Sequence, residues 1–96
     1  MIKHIVMWKL AEENKKENLD KMKKVLEDLK DKIEEIVEIE AGIDINGSEA
    51  AYDITLYSSF KSEEDLDTYQ KHPDHLKAAE FVKKVAIDRA VVDYEV

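Results

Sequence analysis

The sequence predicts an α+β domain with the element order β-α-β-β-α-β, the ferredoxin-like pattern of a four-stranded antiparallel sheet with helices on one face. Four segments alternate apolar and polar residues as strands do, and two segments repeat apolar residues at helical spacing. The only proline interrupts the second helical segment. A chain of 96 residues is long enough for one domain, which we expect to span residues 1–96.

The first strand is predicted from Ile2 to Leu10. One face is expected to turn toward the core, and its residues are Ile2, His4, Val6, Trp8 and Leu10. The middle of the other face is also apolar, at Ile5 and Met7, which is typical of a strand that is covered on both sides.

The first helix is predicted as one long amphipathic element from Asn14 to about Glu35. Its apolar residues recur at spacings of three and four, and its charged residues fill the opposite side. The apolar stripe consists of Leu19, Met22, Leu26, Leu29, Ile33 and Ile36. We interpret it as a helix packed on the core.

The middle of the chain predicts a β-hairpin. The two strands are expected at Val37–Asn46 and Ala51–Phe60, and the turn between them at residues 46–49, where asparagine and glycine tolerate positive φ. Gly42, inside the first of these strands, indicates a bulge or a close backbone approach.

The second helical segment is predicted to consist of two helices. Ser62 is a candidate N-cap, followed by three acidic residues that suit a helix start. Pro73 ends this helix and suits the first position of another one that runs to about Val85. Residues Ile87–Val96 then predict the fourth strand.

The sheet face without helices keeps an apolar patch in this arrangement. Its residues are predicted to be Ile5, Met7, Thr55, Tyr57 and Val91. A soluble monomer does not readily expose such a patch. We therefore expect a second copy to cover it, sheet against sheet, in a two-fold homodimer.

Composition excludes several function classes. The net charge of −8 argues against nucleic-acid and anionic-membrane partners, which need a basic surface. The absence of cysteine excludes disulfides and thiolate chemistry, and two glycines leave no phosphate-binding glycine-rich loop. The first ten residues are too polar for a signal peptide, so we expect a cytoplasmic location.

The residues best suited to chemistry lie near the proline. Tyr69 and His75 flank it, and His4 lies in the first strand. A neutral imidazole and a phenol are common proton-transfer groups near neutral pH. The alternative is structural: His75 satisfies a backbone group at the helix break, Tyr69 packs on the sheet, and His4 is a buried polar residue with a partner.

The remaining histidine, His72, precedes Pro73 and is interpreted as a structural residue that closes the preceding helix. A metal site built from His72, His75 and Asp74 is the weaker alternative, because two histidines across a helix break are poor evidence for coordination. We expect neither a metal nor another cofactor.

Several segments together carry a resemblance to a known family. They are Ile2-Lys3-His4-Ile5-Val6, Glu40-Ala41-Gly42, Tyr52-Asp53, the run from Ser59 to Leu66, the run from Tyr69 to His75, and Val91-Val92-Asp93-Tyr94. In these the chain resembles, essentially end to end, the stress-responsive dimeric α/β-barrel (Dabb) domain. The resemblance implies a homodimer in which two four-stranded sheets form an α/β barrel.

The resemblance also implies a site. Some plant members of this family look like polyketide cyclases that promote an aldol condensation without a cofactor, through groups that correspond here to Tyr69, His75 and His4. We expect a cavity for a small apolar or aromatic molecule, with a cyclase or lyase-like enzyme as the alternative. Its ligand-binding residues are predicted to be His4, Val6, Trp8, Met22 and Leu26. Related barrels include monooxygenases that use a Trp and a His, but Trp8 is more simply a core side chain.

Overall fold

The computed structural model describes all of residues 1–96 and contains four strands and three α-helices. The strands are β1 (Ile2–Leu10), β2 (Glu38–Ile43), β3 (Ile54–Phe60) and β4 (Ala86–Glu95), and the helices are α1 (Lys15–Glu27), α2 (Glu63–Lys71) and α3 (Pro73–Val85). The strands form one antiparallel sheet in the order β2-β3-β1-β4. The predicted ferredoxin-like order is confirmed, with the second helix divided in two. None of the three helices has the length and apolar character needed to cross a membrane.

The core lies between the sheet and the helices. β1 lies between two other strands, and its helix-facing side chains are buried as the alternation predicts. These side chains pack against apolar residues of α1, β3 and α2, including Met22, Phe60 and Tyr69, which are fully buried. Burying each such large side chain contributes about 1.5–3 kcal/mol to folding.

The first helix is shorter than predicted. It ends at Glu27 rather than near Glu35, and a 3₁₀ turn at Asp28–Asp31 follows. At this end the Glu27 carboxylate accepts hydrogen bonds from Lys23 Nζ in the preceding turn (2.9 Å) and from the backbone N–H of Ala41 in β2 (3.2 Å), so the end of α1 is attached to the sheet. The hydrogen bond to Lys23 holds the pKa of Glu27 below its usual value.

The predicted apolar residues beyond the helix remain buried all the same. They are Leu29, Ile33 and Ile36. The chain therefore satisfies the hydrophobic pattern without continuing the helix, since a turn places these side chains on the core as well as a helix would.

The predicted hairpin of β2 and β3 is confirmed, but both strands are shorter than expected. Ile45, inside the predicted strand Val37–Asn46, is fully exposed beyond the end of β2. The β2–β3 register is continuous, so Gly42 does not mark a bulge. A Cβ at this position would meet only Thr55 Cγ2 at an ordinary 3.6 Å, so Gly42 does not mark a close backbone approach either. Gly47 has φ 71° in the connecting loop, as its predicted turn position requires.

The break between α2 and α3 follows the sequence closely. His72 is extended (φ −63°, ψ 137°) because the ring of Pro73 disfavours helical geometry in the preceding residue. The His72 backbone N–H donates to Tyr69 at the end of α2, and His72 Nδ1 accepts from the Asp74 N–H at 3.1 Å. His72 thus caps both helices, and its predicted structural role is confirmed.

The open face of the sheet differs from the prediction at one strand. In β4, Val92 lies opposite Ile5, and Tyr94 lies opposite Lys3, so both belong to the open face. Val91 lies opposite Val6 and therefore faces the helix side, so its predicted place in the open patch is wrong. Val91 and Val92 are adjacent and both apolar, so the alternation of the sequence does not show which of them lies on the open face.

We predict that Ser62→Ala lowers the free energy of unfolding by about 1 kcal/mol, because Ser62 Oγ accepts the Asp65 N–H at 3.1 Å and caps α2. Urea unfolding followed by circular dichroism measures this. Ser48→Ala in the exposed β2–β3 loop is the control and should change stability by less than about 0.5 kcal/mol. Equal effects of the two substitutions would show that the cap does not stabilise α2.

Candidate functional site

A cleft of about 740 Å³ lies between the sheet and α3. Eleven of its sixteen wall residues are hydrophobic, so it suits a largely apolar molecule. Most of the predicted site residues lie on this wall, namely His4, Val6, Trp8, Leu26, Tyr69 and His75. Met22 does not, because it is fully buried in the core below the wall.

Tyr69 lies at the end of α2 and is fully buried. Its ring packs against Phe60, with centroids 4.9 Å apart, and against His75, with centroids 4.5 Å apart. The Tyr69 hydroxyl has no hydrogen-bond partner in the chain. Burial raises the pKa of this phenol, which keeps it protonated and able to donate a hydrogen bond.

His75 occupies the first turn of α3, where the helix dipole disfavours a positive charge. Burial lowers the pKa of its imidazole, and the nearby carbonyl of Gln70 opposes this only in part. Its Nδ1 atom is buried and unpartnered. The alternative in which His75 satisfies a backbone group at the helix break stays a prediction, and the lowered pKa favours a neutral imidazole at this position of the cleft wall.

His4 is buried on β1, and its Nδ1 lies 2.5 Å from Asp93 Oδ1 on β4. A carboxylate only accepts, so Nδ1 carries the hydrogen of this bond, and the other ring nitrogen of a neutral His4 is an acceptor. The His4 ring meets Tyr69 edge-on, with centroids 6.2 Å apart. His4 is a buried polar residue with a partner, and it also belongs to the cleft wall.

The arrangement combines a protonated phenol and a neutral imidazole at the inner end of an apolar cleft. Such a pair can hold a polar oxygen of a ligand or transfer a proton. A metal reading has little support, since no group of three His, Asp or Glu side chains is placed to hold an ion. His72 and Asp74 approach to 3.6 Å as part of the helix cap.

The sequence analysis missed the part of the wall that α3 and β4 supply. These residues are Leu76, Ala78, Ala79, Val82, Lys83, Ala86, Ile87, Asp88 and Arg89, and β3 adds Leu56. The apolar stripe of the third helix was a usable signal for several of them. Arg89 was not accessible to sequence reasoning, because its place depends on the register that sets it opposite Trp8.

We predict that the free energy of unfolding falls as the pH drops below about 6.5, and that His75→Gln reduces this fall. Because the pKa of folded His75 is lowered, the unfolded chain takes up a proton here that the folded chain does not. The stability is fully present above about pH 6.5 and is lost toward the lower folded pKa.

Urea unfolding between about pH 7.5 and 5.5 measures this pH dependence. Lys77→Gln, on the exposed side of the same helix, is the control and should keep the wild-type dependence. An identical loss of stability in His75→Gln and wild type would show that the fold does not hold this imidazole neutral.

Comparison with known proteins places the chain among ferredoxin-like domains. A dimeric protein of unknown function from Bacteroides fragilis is 36% identical and aligns over 99% of this chain and 95% of its own, with a TM-score of 0.91. A dimeric ferredoxin-like protein from Thermobifida fusca is 23% identical over 99% and 90% of the two chains, with a TM-score of 0.88. A hydroxynitrile lyase from Passiflora edulis is 19% identical over 99% and 92%, with a TM-score of 0.87.

The two structures below 25% identity share the fold and do not transfer an activity. No curated protein is similar enough in sequence to match. The family description "Stress responsive A/B Barrel Domain" matches residues 2–96, nearly the entire chain. On this match and on the fold, the chain belongs to the stress responsive A/B barrel domain family.

Proposed function

We propose that the chain forms a homodimer and that each cleft binds a small, largely apolar or aromatic molecule. The observation that carries the binding proposal is that two side chains lining an apolar cleft each hold a buried, unpartnered polar atom, Tyr69 Oη and His75 Nδ1. A buried polar group without a partner costs about 1–3 kcal/mol, and a bound oxygen atom would remove this cost. The cytoplasmic location remains a prediction from composition.

Two observations support the homodimer. Two of the similar structures are described as dimeric, and one of them is 36% identical to this chain. The open face exposes apolar side chains of two neighbouring strands, Met7 on β1 and Val92 and Tyr94 on β4. Covering this face with its copy would remove them from water, as the two-sheet barrel of the family requires.

A cofactor-independent cyclase or lyase-like enzyme is the second candidate. The observation that favours it is the contact between a phenol kept protonated and an imidazole kept neutral. In this reaction His75 takes a proton from a carbon next to a carbonyl, and Tyr69 donates a hydrogen bond to the enolate oxygen that forms. The hydroxynitrile lyase among the similar structures shows that this fold can hold a lyase site.

We predict that Tyr69→Phe weakens ligand binding without lowering stability. The substitution removes a hydroxyl that has no partner, so the free energy of unfolding should stay within about 1 kcal/mol of wild type or rise. A thermal-shift screen with phenolic and polyketide-like compounds measures binding, since a ligand of the folded state raises the melting temperature. Compounds that stabilise wild type should stabilise Tyr69→Phe less.

Tyr52→Phe is the matched control, because Tyr52 lies outside the cleft. This substitution should leave the ligand-induced rise in melting temperature unchanged for every compound. The absence of a shift from any compound in wild type would contradict the binding proposal. Turnover of a bound compound that is lost in a folded His75→Ala variant would favour the enzyme, whereas binding without turnover would favour a carrier.

We predict that Val92→Lys breaks the dimer and that Val91→Lys does not. The two residues are adjacent on β4 and similarly exposed in the single chain, at 53% and 49%, but only Val92 lies on the open face. Burying an unpaired lysine in an apolar interface is strongly unfavourable. Analytical ultracentrifugation of the three proteins measures the mass. A monomeric wild type, or equal dissociation of the two variants, would contradict the proposed interface.

A further inference from the structure

We propose that the ligand of the cleft is a small carboxylic acid. Its apolar or aromatic body lies along the wall, and its carboxylate lies at the mouth of the cleft between Lys83 of α3 and Arg89 of β4. This inference rests on the proposed function and adds the charge of the ligand and the residues that select it.

The mouth of the cleft carries two cations without acidic partners. Lys83 and Arg89 both belong to the wall and are exposed, and neither takes part in an ion pair. The chain has 23 acidic and 15 basic residues, so two unpaired cations at one opening give this part of the surface the opposite sign to the net charge. A general attraction for anions cannot arise from a net charge of −8, so anion binding here must be local.

The one acidic residue on the wall does not neutralise these cations. Asp88 lies opposite Lys9 in the β1–β4 register, and its carboxylate forms no ion pair with Lys83 or Arg89. Its carboxylate also accepts the backbone N–H of Arg89 at 2.8 Å. Arg89, opposite Trp8, is directed to the helix side, where the cleft lies.

The positive charge of Arg89 also acts on His75 at the inner end of the cleft. The pKa of the His75 imidazole is lowered mainly by burial, and the charges of His4 and then of Arg89 lower it further. Arg89, Tyr69 and His75 lie on the wall of the same cleft, so one molecule can place a carboxylate beside Arg89 and its other end against Tyr69 and His75.

The rest of the wall fits the body of such an acid. Between the mouth and the inner end it is lined by apolar side chains, among them Trp8, Leu56 and Val82. Leu76 and Ile87 at the rim are exposed apolar side chains that a ligand would cover. A molecule with an apolar body and one anionic end matches both the apolar wall and the two cations. A neutral apolar molecule would form no ion pair with the cations, and a positively charged molecule would be repelled by them.

The test compares 2-naphthoate with 2-naphthamide, which have the same ring system and differ in charge. Isothermal titration calorimetry on the wild-type protein should give a dissociation constant about tenfold lower for the acid, as a charge-assisted contact provides. Raising the ionic strength from low salt to about 0.15 M should weaken binding of the acid and not of the amide, because exposed charges are screened.

The variants Lys83→Gln and Arg89→Gln test whether these two cations cause the preference for the acid over the amide. Each should reduce the preference for the acid at least about threefold and leave the affinity for the amide unchanged. Lys84→Gln removes the same charge one residue away, outside the cleft wall, and should keep the wild-type preference.

Equal affinities for acid and amide, or a preference that Lys84→Gln reduces as much as Lys83→Gln does, would overturn the inference and leave the cleft proposal standing. If neither naphthyl probe binds and the neutral compounds of the thermal-shift screen also fail, the inference and the proposed function both fail.

Discussion

The site depends on the restriction that Pro73 places on His72. A proline ring disfavours helical geometry in the residue before it and offers no N–H to the preceding turn, so the chain leaves α2 and begins α3 at this point. The last turn of α2 therefore holds Tyr69, and the first turn of α3 holds His75, with their rings 4.5 Å apart. A continuous helix would separate these two residues by six positions along one axis and could not close the cleft in this way.

The two groups that this break brings together are left unsatisfied by the rest of the fold. The Tyr69 hydroxyl and His75 Nδ1 are buried without partners, whereas the buried polar groups around them are bonded, such as Ser58 Oγ to the His4 carbonyl at 3.2 Å. Unsatisfied buried polar groups are rare in folded proteins because each costs about 1–3 kcal/mol. Both atoms belong to side chains that line one cleft, which is the arrangement expected of a site that a ligand completes.

Sequence reasoning predicted the parts of this structure that local rules decide. The proline break, the Ser62 cap and the hairpin follow from backbone geometry, and the face of β1 follows from its alternation. The parts that it missed depend on contacts between distant segments. The end of α1 lies where Glu27 bonds to Ala41 of β2, and the pairing of β4 with β1 decides that Val91 and Val92 face opposite sides of the sheet. For the same reason the α3–β4 side of the cleft, with Arg89, could not be read from the sequence.

The proposed dimer and the cleft are connected through β4. This strand is an edge strand that pairs only with β1, and it is exposed on both faces in the single chain. Long exposed edge strands with apolar residues are poorly protected against fraying and aggregation. Covering Val92 and Tyr94 with a second copy would hold β4 against β1, and through the same strand it would fix Arg89 at the mouth of the cleft and Asp93 against His4. Because successive side chains of one strand serve opposite faces, the interface can support the site without contributing a residue to it.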